Sequence, residues 1–443
     1  MSAHNDNTRV VTPAADAAIS EVLEKKELRS WKAAIALAVF SVVSILLFVV
    51  FPREGKTGFR WSNPDDMISL PTWETDAAVT GRVVTVLLIV LTALVIWATL
   101  KTGTLIPRTR RIIVTASVVV FAVAFMVAFL AWAMVGNNVP VTGLLLGTVS
   151  LSVPLIFGAM GGVISERVGV VNVAIEGQLL AGAFCSAMVA SLTGSPWVGL
   201  VAAMVAGVLV SFVLAAFAIK YLVDQVIVGV VLNVLVTGLT SFLYSSVLTK
   251  DAATLNTAPR LAPVAIPGLS EIPVIGPVLF NQSALVYVMY VVVALVFLGL
   301  FKTRWGLRLR AVGEHPKAAD TVGINVARTR FWNVSLAGAI AGLGGAYFTL
   351  VSVGSFQKEM VAGAGFIALA AVIFGRWDPI RATLAALLFG FASNLQNVLA
   401  AVGSPVPSEF MLMLPYVVTI LAVAGLVGQS VGPAASGKPY IKG

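Results

Sequence analysis

Long apolar stretches, nearly free of charge and separated by polar segments, recur from residue 32 to residue 429. They lie near 32–51, 80–100, 112–136, 142–160, 176–191, 196–218, 224–247, 283–301, 332–353, 361–376, 382–402 and 409–429. Most approach the roughly 20 residues that a helix needs to cross the hydrocarbon core of a bilayer. The pattern predicts an all-α fold, a polytopic transmembrane helical bundle. Runs 176–191 and 361–376 are short enough to be re-entrant or tilted pieces, so ten to twelve crossings are expected.

Composition removes the soluble alternative: 58% of the 443 residues are apolar, 11% are charged, and the mean hydropathy is +0.97. A soluble domain has no interior large enough for that much apolar surface. The polar first 30 residues lead through Lys25, Lys26 and Arg29 into a run longer than a secretory signal core, which reads as an uncleaved signal-anchor helix.

The net charge of +9 would suggest a nucleic-acid partner in a soluble protein. Here the basic residues sit between apolar runs, so membrane lipid is the expected partner and nucleic acid is not. If all twelve runs cross, Lys25/Lys26/Arg29, Lys101/Arg108/Arg110/Arg111, Lys220, the seven Lys and Arg from Lys302 to Arg330, Arg376/Arg381 and Lys438/Lys442 share one side. That side is the cytoplasm, and both termini lie there. The other side receives 52–79, where Glu54, Asp65, Asp66, Glu74 and Asp76 outnumber Arg53, Lys56 and Arg60. It also receives 248–282, whose Pro259, Pro263, Pro267, Pro273 and Pro277 predict an extended cap without a long helix.

From residue 142 the helices change character, with small residues as in GAMGG at 158–162 and GLGG at 342–345. Such residues let helices approach closely in lipid. Two stretches add chemistry. In Gly161–Gln178, Asn172 and Gln178 offer hydrogen bonds to a polar solute, while Glu176 reads either as a first-turn acid or as a group lining a solute path. Asn394 and Asn397 share a helix face at i,i+3 and join them as path candidates. Asn233, Asn333 and Gln396 also interrupt apolar runs, and interhelical pairing is their common use.

The second stretch, Lys302–Arg330, is the most charged of the chain. Behind Glu314, His315 and Pro316, the residues Ala318, Ala319, Val322, Gly323 and Ile324 form a small apolar face suited to docking a partner. The single Cys185 and two histidines supply no internal disulfide and no multi-histidine metal site, and no cofactor is expected. Gly55-Lys56-Thr57 lacks the upstream glycine of a phosphate loop. The near absence of charge inside the spans argues against an ion-coupled secondary transporter, the main alternative. Without paired acids or histidines at an interface, a membrane enzyme has less support still.

Ser165-Glu166-Arg167-Val168-Gly169-Val170-Val171-Asn172-Val173 followed by Glu176-Gly177 resembles a signature of inner-membrane permease subunits of bacterial ABC importers, in the branch that serves simple sugars and nucleosides within the branched-chain-amino-acid-type superfamily. Arg310–Glu314, Ala318-Ala319, Gly323-Ile324 and the run GFIALAAVIFGRW at 365–377 resemble the same family, over about residues 142–430. The resemblance implies a multi-pass protein of the bacterial cytoplasmic membrane that translocates a nucleoside or simple sugar and catalyses no reaction itself. It implies three partners: a second, non-identical permease subunit forming a heterodimer, a cytoplasmic ABC ATPase, and an extracytoplasmic solute-binding protein. It also implies that Glu314, His315, Pro316, Ala318, Ala319, Gly323 and Ile324 couple to the ATPase. The domains expected are a cytoplasmic tail at 1–30, additional spans at 31–140, the permease core at 141–430 and a cytoplasmic tail at 431–443.

Overall fold

The computed structural model describes residues 31–62, 69–102, 106–403, 409–410, 413 and 432–441. The expected tail at 1–30 lies outside the described residues, as does nearly all of the run at 409–429. Among the described residues, ten helices are long and apolar enough to cross a membrane. These are α1 (Lys32–Val50), α2 (Ala77–Leu100), α3 (Pro107–Ala133), α4 (Val141–Arg167), α5 (Ile175–Thr193), α6 (Pro196–Lys220), α7 (Gln225–Leu248), α10 (Ala284–Lys302), α13 (Val326–Val353) and α15 (Pro379–Ala401). The short α8 (Ala252–Leu255), α9 (Ile275–Phe280), α11 (Arg304–Glu314), α12 (Pro316–Thr321) and α14 (Ala364–Phe374) connect them.

The described residues divide into two compact units, one within 31–53 and 77–132 and one within 54–76 and 133–441. In the first, α1, α2 and α3 bury one stripe each and leave Val83, Val86, Val90, Val119 and Val123 exposed, as helices surrounded by lipid do. Thr85, Thr92 and Thr99, spaced by seven, return their hydroxyls to the carbonyls four residues earlier at 2.8 Å. A buried hydroxyl is thereby satisfied within its own helix. Thr92 also meets Ser41 of α1 at 2.9 Å.

The second unit is built around α13, which is buried along almost its whole length from Asn333 to Tyr347. Gly207 of α6 faces the carbonyl of Gly338, Gly182 of α5 faces that of Gly342, and Gly345 faces that of Leu179, each so closely that a Cβ would collide. Backbone contact of this kind replaces the missing hydrophobic drive with van der Waals packing. Pro154 sits inside α4 without ending it, as spanning helices tolerate when neighbours re-satisfy the backbone. Run 176–191 proves to be part of the full-length α5, whereas run 361–376 contains only the 11-residue α14 after a non-helical approach at 354–363.

Strands β1 (Lys56–Arg60), β2 (Trp73–Asp76) and β3 (Asn138–Pro140) form a small sheet in the order β2-β1-β3, antiparallel and then parallel. The proline-rich loop has no long helix. It carries α8 and α9 and pairs β4 (Pro263–Ala265) antiparallel with β5 (Asn281–Ser283). The loop is fastened to the end of α13, since Leu261 N–H donates to the Leu350 carbonyl at 2.8 Å and Ala258 N–H to that of Gly354 at 2.9 Å.

Candidate functional site: a polar seam and a cradle

Between α4 and α5 the chain turns through Val168–Ala174, and this turn organises the polar residues. Gly169 takes φ +91°, where a Cβ would meet the guanidinium of Arg330. Ser165 Oγ donates to the Val170 carbonyl at 2.8 Å, and Val171 N–H donates to Gln225 Oε1 at 2.7 Å. Asn233 of α7 then caps the start of α5, accepting from Gly177 N–H at 2.8 Å and donating to the Val173 carbonyl at 2.9 Å. A polar side chain from a neighbouring helix thus satisfies backbone groups that the turn leaves open.

Asn172 and Gln178 are fully buried at 0% exposure and face one another. Asn172 Nδ2 donates to Gln178 Oε1 at 3.0 Å, and Gln178 Nε2 donates to Ser211 Oγ of α6 at 2.9 Å. Glu176 reaches across to the beginning of α14, its two carboxylate oxygens accepting from Gly363 N–H at 2.8 Å and Gly365 N–H at 2.6 Å. The acid therefore caps a helix other than its own, where free N–H groups and the helix dipole favour negative charge. Asn394 of α15 stands apart from this group and donates to the Leu144 carbonyl of α4 at 2.7 Å, packed on Gly147. Asn397 shares its helix face in sequence but is exposed. The structure therefore brings together Asn172, Glu176 and Gln178, and places Asn394 and Asn397 on a different helix.

At the end of α4 a second set of contacts forms a cradle. Trp377 Nε1 donates to the buried carboxylate of Glu166, while Arg167 Nε donates to the Trp377 carbonyl at 2.9 Å. These bonds hold the turn at 375–378, in which Arg376 and Trp377 both take φ +55°. Two guanidinium groups approach the Phe301 ring, Arg167 at 5.9 Å and Arg310 at 5.3 Å from its centre. Gly313 of α11 presses its backbone against the Arg167 carbonyl, an approach that only glycine permits. Arg376, Arg167 and the 302–330 segment thus lie at one end of the unit, as the positive-inside pattern requires.

In that segment α11 begins with Thr303 Oγ1 accepting from Gly306 N–H at 3.2 Å, and Pro316 starts α12 with a φ already suited to a helix. The small apolar face divides. Ala319 is buried and Ile324 packs on the core, while Ala318, Val322 and Gly323 face outward beside the exposed Glu314 and His315. Segment 432–441 lies along the inner edge of this cradle. Ala435 N–H donates to the Gly313 carbonyl at 2.9 Å, Ala434 N–H to Glu314 Oε2 at 3.1 Å, and Arg330 Nη1 to the Lys438 carbonyl at 3.0 Å. Desolvation and the hydrogen-bonded Asp320 carboxylate push the Tyr440 phenol above its ordinary pKa.

Sequence reasoning did not single out Trp377, Arg330 or the contact of segment 432–441. Glu166, Arg167 and Trp377 stood in the motifs that carried the resemblance, which was the available signal. Arg330 was hidden among the basic residues of its loop, although it is 2% exposed.

The profile of the family described as "Branched-chain amino acid transport system / permease component" matches residues 144–423. The guanosine ABC transporter permease protein NupQ of Bacillus subtilis (strain 168) is 44% identical over 307 residues, 67% of this chain and 95% of that protein. The nucleoside ABC transporter permease protein NupC of Lactococcus lactis subsp. cremoris (strain MG1363) is 42% identical over 300 residues, 66% of this chain and 94% of that protein. The putative glucose ABC transporter permease protein TsgC13 of Haloferax volcanii is 35% identical over 255 residues, 57% of this chain and 77% of that protein. No solved structure matches the chain. The matched region runs from α4 through the cradle and α15, and this multi-pass membrane protein therefore belongs to the family of permease components of branched-chain amino acid transport systems.

Proposed function

We propose that this chain is the permease subunit of an ATP-driven importer whose solute is a nucleoside. It works with a second, non-identical permease, a cytoplasmic ATPase seated on Glu314–Ile324 and an extracytoplasmic solute-binding protein. The reading is carried by one observation: the residues that resemble a coupling segment stand outward on the same end of the bundle as the turn that feeds the polar seam. Glu314, His315, Ala318 and Gly323 offer polar and small apolar contacts to the ATPase, and Pro316, Ala319 and Ile324 hold them in place. The names of two relatives above 40% identity, a guanosine and a nucleoside permease, favour a nucleoside over a sugar.

In this proposal Asn172, Glu176, Gln178, Asn394 and Asn397 belong to the translocation path. The amide pair at Asn172 and Gln178 offers both donors and acceptors to a neutral solute, at the junction of α5 with α6. Glu176 sets the position of α14 against α5, and Asn394 that of α15 against α4. Residues 31–140 form an added anchor and 141–430 the core.

Uptake of labelled guanosine, uridine, ribose and glucose by cells carrying the complete complex tests the reading. Saturable nucleoside uptake that ribose does not compete for is expected. Uptake of glucose or ribose alone would replace the nucleoside by a sugar, the reading favoured by the glucose permease among the relatives.

A further inference from the structure

Between α12 and the central helix α13 the chain has one short joint, Val322–Asn325. Val322 ends α12 and is 75% exposed, and Gly323 takes φ +85° with open space where a Cβ would stand. Asn325 then caps α13, its Oδ1 accepting from Arg328 N–H at 2.9 Å. Two helices that meet at an exposed glycine turn have the makings of a hinge.

Segment 432–441 spans this joint. On one side Ala435 N–H and Ala434 N–H donate to the Gly313 carbonyl and to Glu314 Oε2 of α11, and the Tyr440 hydroxyl donates to the Asp320 carboxylate of α12. On the other side the Lys438 carbonyl accepts from Arg330 Nη1 of α13 at 3.0 Å. The segment keeps its own form through two successive turns, Ser436 N–H returning to the Pro433 carbonyl at 2.9 Å and Lys438 N–H to that of Ala435 at 3.2 Å. It also lies against the turn that leads to Asn172, since a Cβ at Gly437 would stand 3.5 Å from Val171 Cγ2.

The two ends of this connection differ in strength. Arg330 is 2% exposed, and a buried cation is costly unless it is hydrogen-bonded, so the Lys438 carbonyl is held firmly. The Tyr440 bond lies at the surface, where water competes for both partners, and it is the one that opens first.

We propose that segment 432–441 is a brace across the hinge at Val322–Asn325, with Tyr440 as a positioning residue, and that only the closed brace makes α11, α12 and α13 move as one body. The proposal rests on the permease reading with its ATPase seat at Glu314–Ile324. It adds what keeps a displacement at that seat from being spent in flexing the joint before it reaches α13.

The experiment uses the whole complex in proteoliposomes, carrying Ala435→Cys in a Cys185→Ala background, alone or with Tyr440→Phe, and a second variant lacking residues 432–443. Ala435 is 5% exposed, so the rate at which a maleimide labels Ala435→Cys reports opening of the brace. Uptake of guanosine, uridine, ribose and glucose gives the ATP hydrolysed per solute imported, and copurified ATPase records assembly. Tyr440→Phe removes one hydrogen bond and should speed labelling by about twofold to tenfold, with more ATP spent per solute at unchanged assembly. The deletion should hydrolyse ATP with uptake lost. A deletion variant that imports at the wild-type ATP per solute would overturn the brace; if it fails to assemble, Tyr440→Phe decides. Unchanged labelling in Tyr440→Phe, or faster labelling at the wild-type ATP per solute, would likewise overturn it. A wild-type complex that imports only ribose or glucose would overturn the nucleoside reading and leave the brace to be read in ATP per sugar. One that imports none of the four would overturn the permease reading and the brace together.

Discussion

Arg330 Nη1 donates a 3.0 Å hydrogen bond to the carbonyl of Lys438, joining the first turns of α13 to a segment 108 residues later. Arg330 Nε and Nη2 have no partner among the described residues, so this bond is the main polar restraint on a buried cation. A hydrogen bond to a charged group contributes about 1.5–3 kcal/mol. Arg330→Met should therefore release segment 432–441, and trypsin added to inverted vesicles should cut at Lys438 at least several times faster than in wild type. Equal cleavage rates would show that the segment is held without Arg330.

Glu176 accepts two backbone N–H bonds from the start of α14, at 2.8 and 2.6 Å. Glu176→Ala strands both donors and should lower the stability of the purified protein by on the order of 3 kcal/mol, with uptake lost. Glu176→Gln retains one acceptor and should fall between the two in a thermal melt in detergent. A Gln variant as poor as Ala would mean that the charge, and not the acceptor geometry, holds the junction.

Ala318 and Gly323 are exposed, and neither supports the core. Ala318→Leu with Gly323→Val adds bulk on the outward face, and φ +85° at Gly323 makes the second change a backbone strain as well. The double variant should insert normally while ATP hydrolysis no longer drives uptake, read as loss of transport with a retained or raised hydrolysis rate. Unchanged uptake together with unchanged ATPase copurification would remove this face from the docking surface.

Sidedness is measurable with single cysteines in a Cys185→Ala background, since Cys185 is the only cysteine of the chain. Ser270→Cys should react with an impermeant maleimide in intact cells. Thr321→Cys and Ser436→Cys should react only after the membrane is opened, because segment 432–441 binds Gly313 and Glu314 at the cradle. Labelling of Thr321→Cys in intact cells would place the cradle outside and away from any ATPase.

The helices were legible in the sequence because lipid imposes a simple requirement, about 20 apolar residues per crossing. Ten of the expected runs are helices of spanning length, and the ambiguous 361–376 resolves into α14 after a non-helical approach. Hydropathy carries no information on where an apolar run is helical, and here the decisive residues are Gly354 and Gly363, at φ +84° and +85°. The polar residues were legible as a set, but their partners were not. Asn172 with Gln178 is six residues apart in sequence, whereas Glu166 with Trp377 is 211 apart and Arg330 with Lys438 is 108 apart. Such pairs follow from which helices adjoin, and spacing along one chain does not record that.

The contact of Gly313 with the Arg167 carbonyl has a mechanical meaning. Most joints between protein parts pass through side chains, whose rotamers give way before the main chain moves. At this joint main chain bears on main chain, with no side chain between them to yield. Under the coupling proposed above, a displacement of α11 passes from main chain to main chain at the end of α4, and the Glu166 and Arg167 bonds lead on to the turn at 375–378.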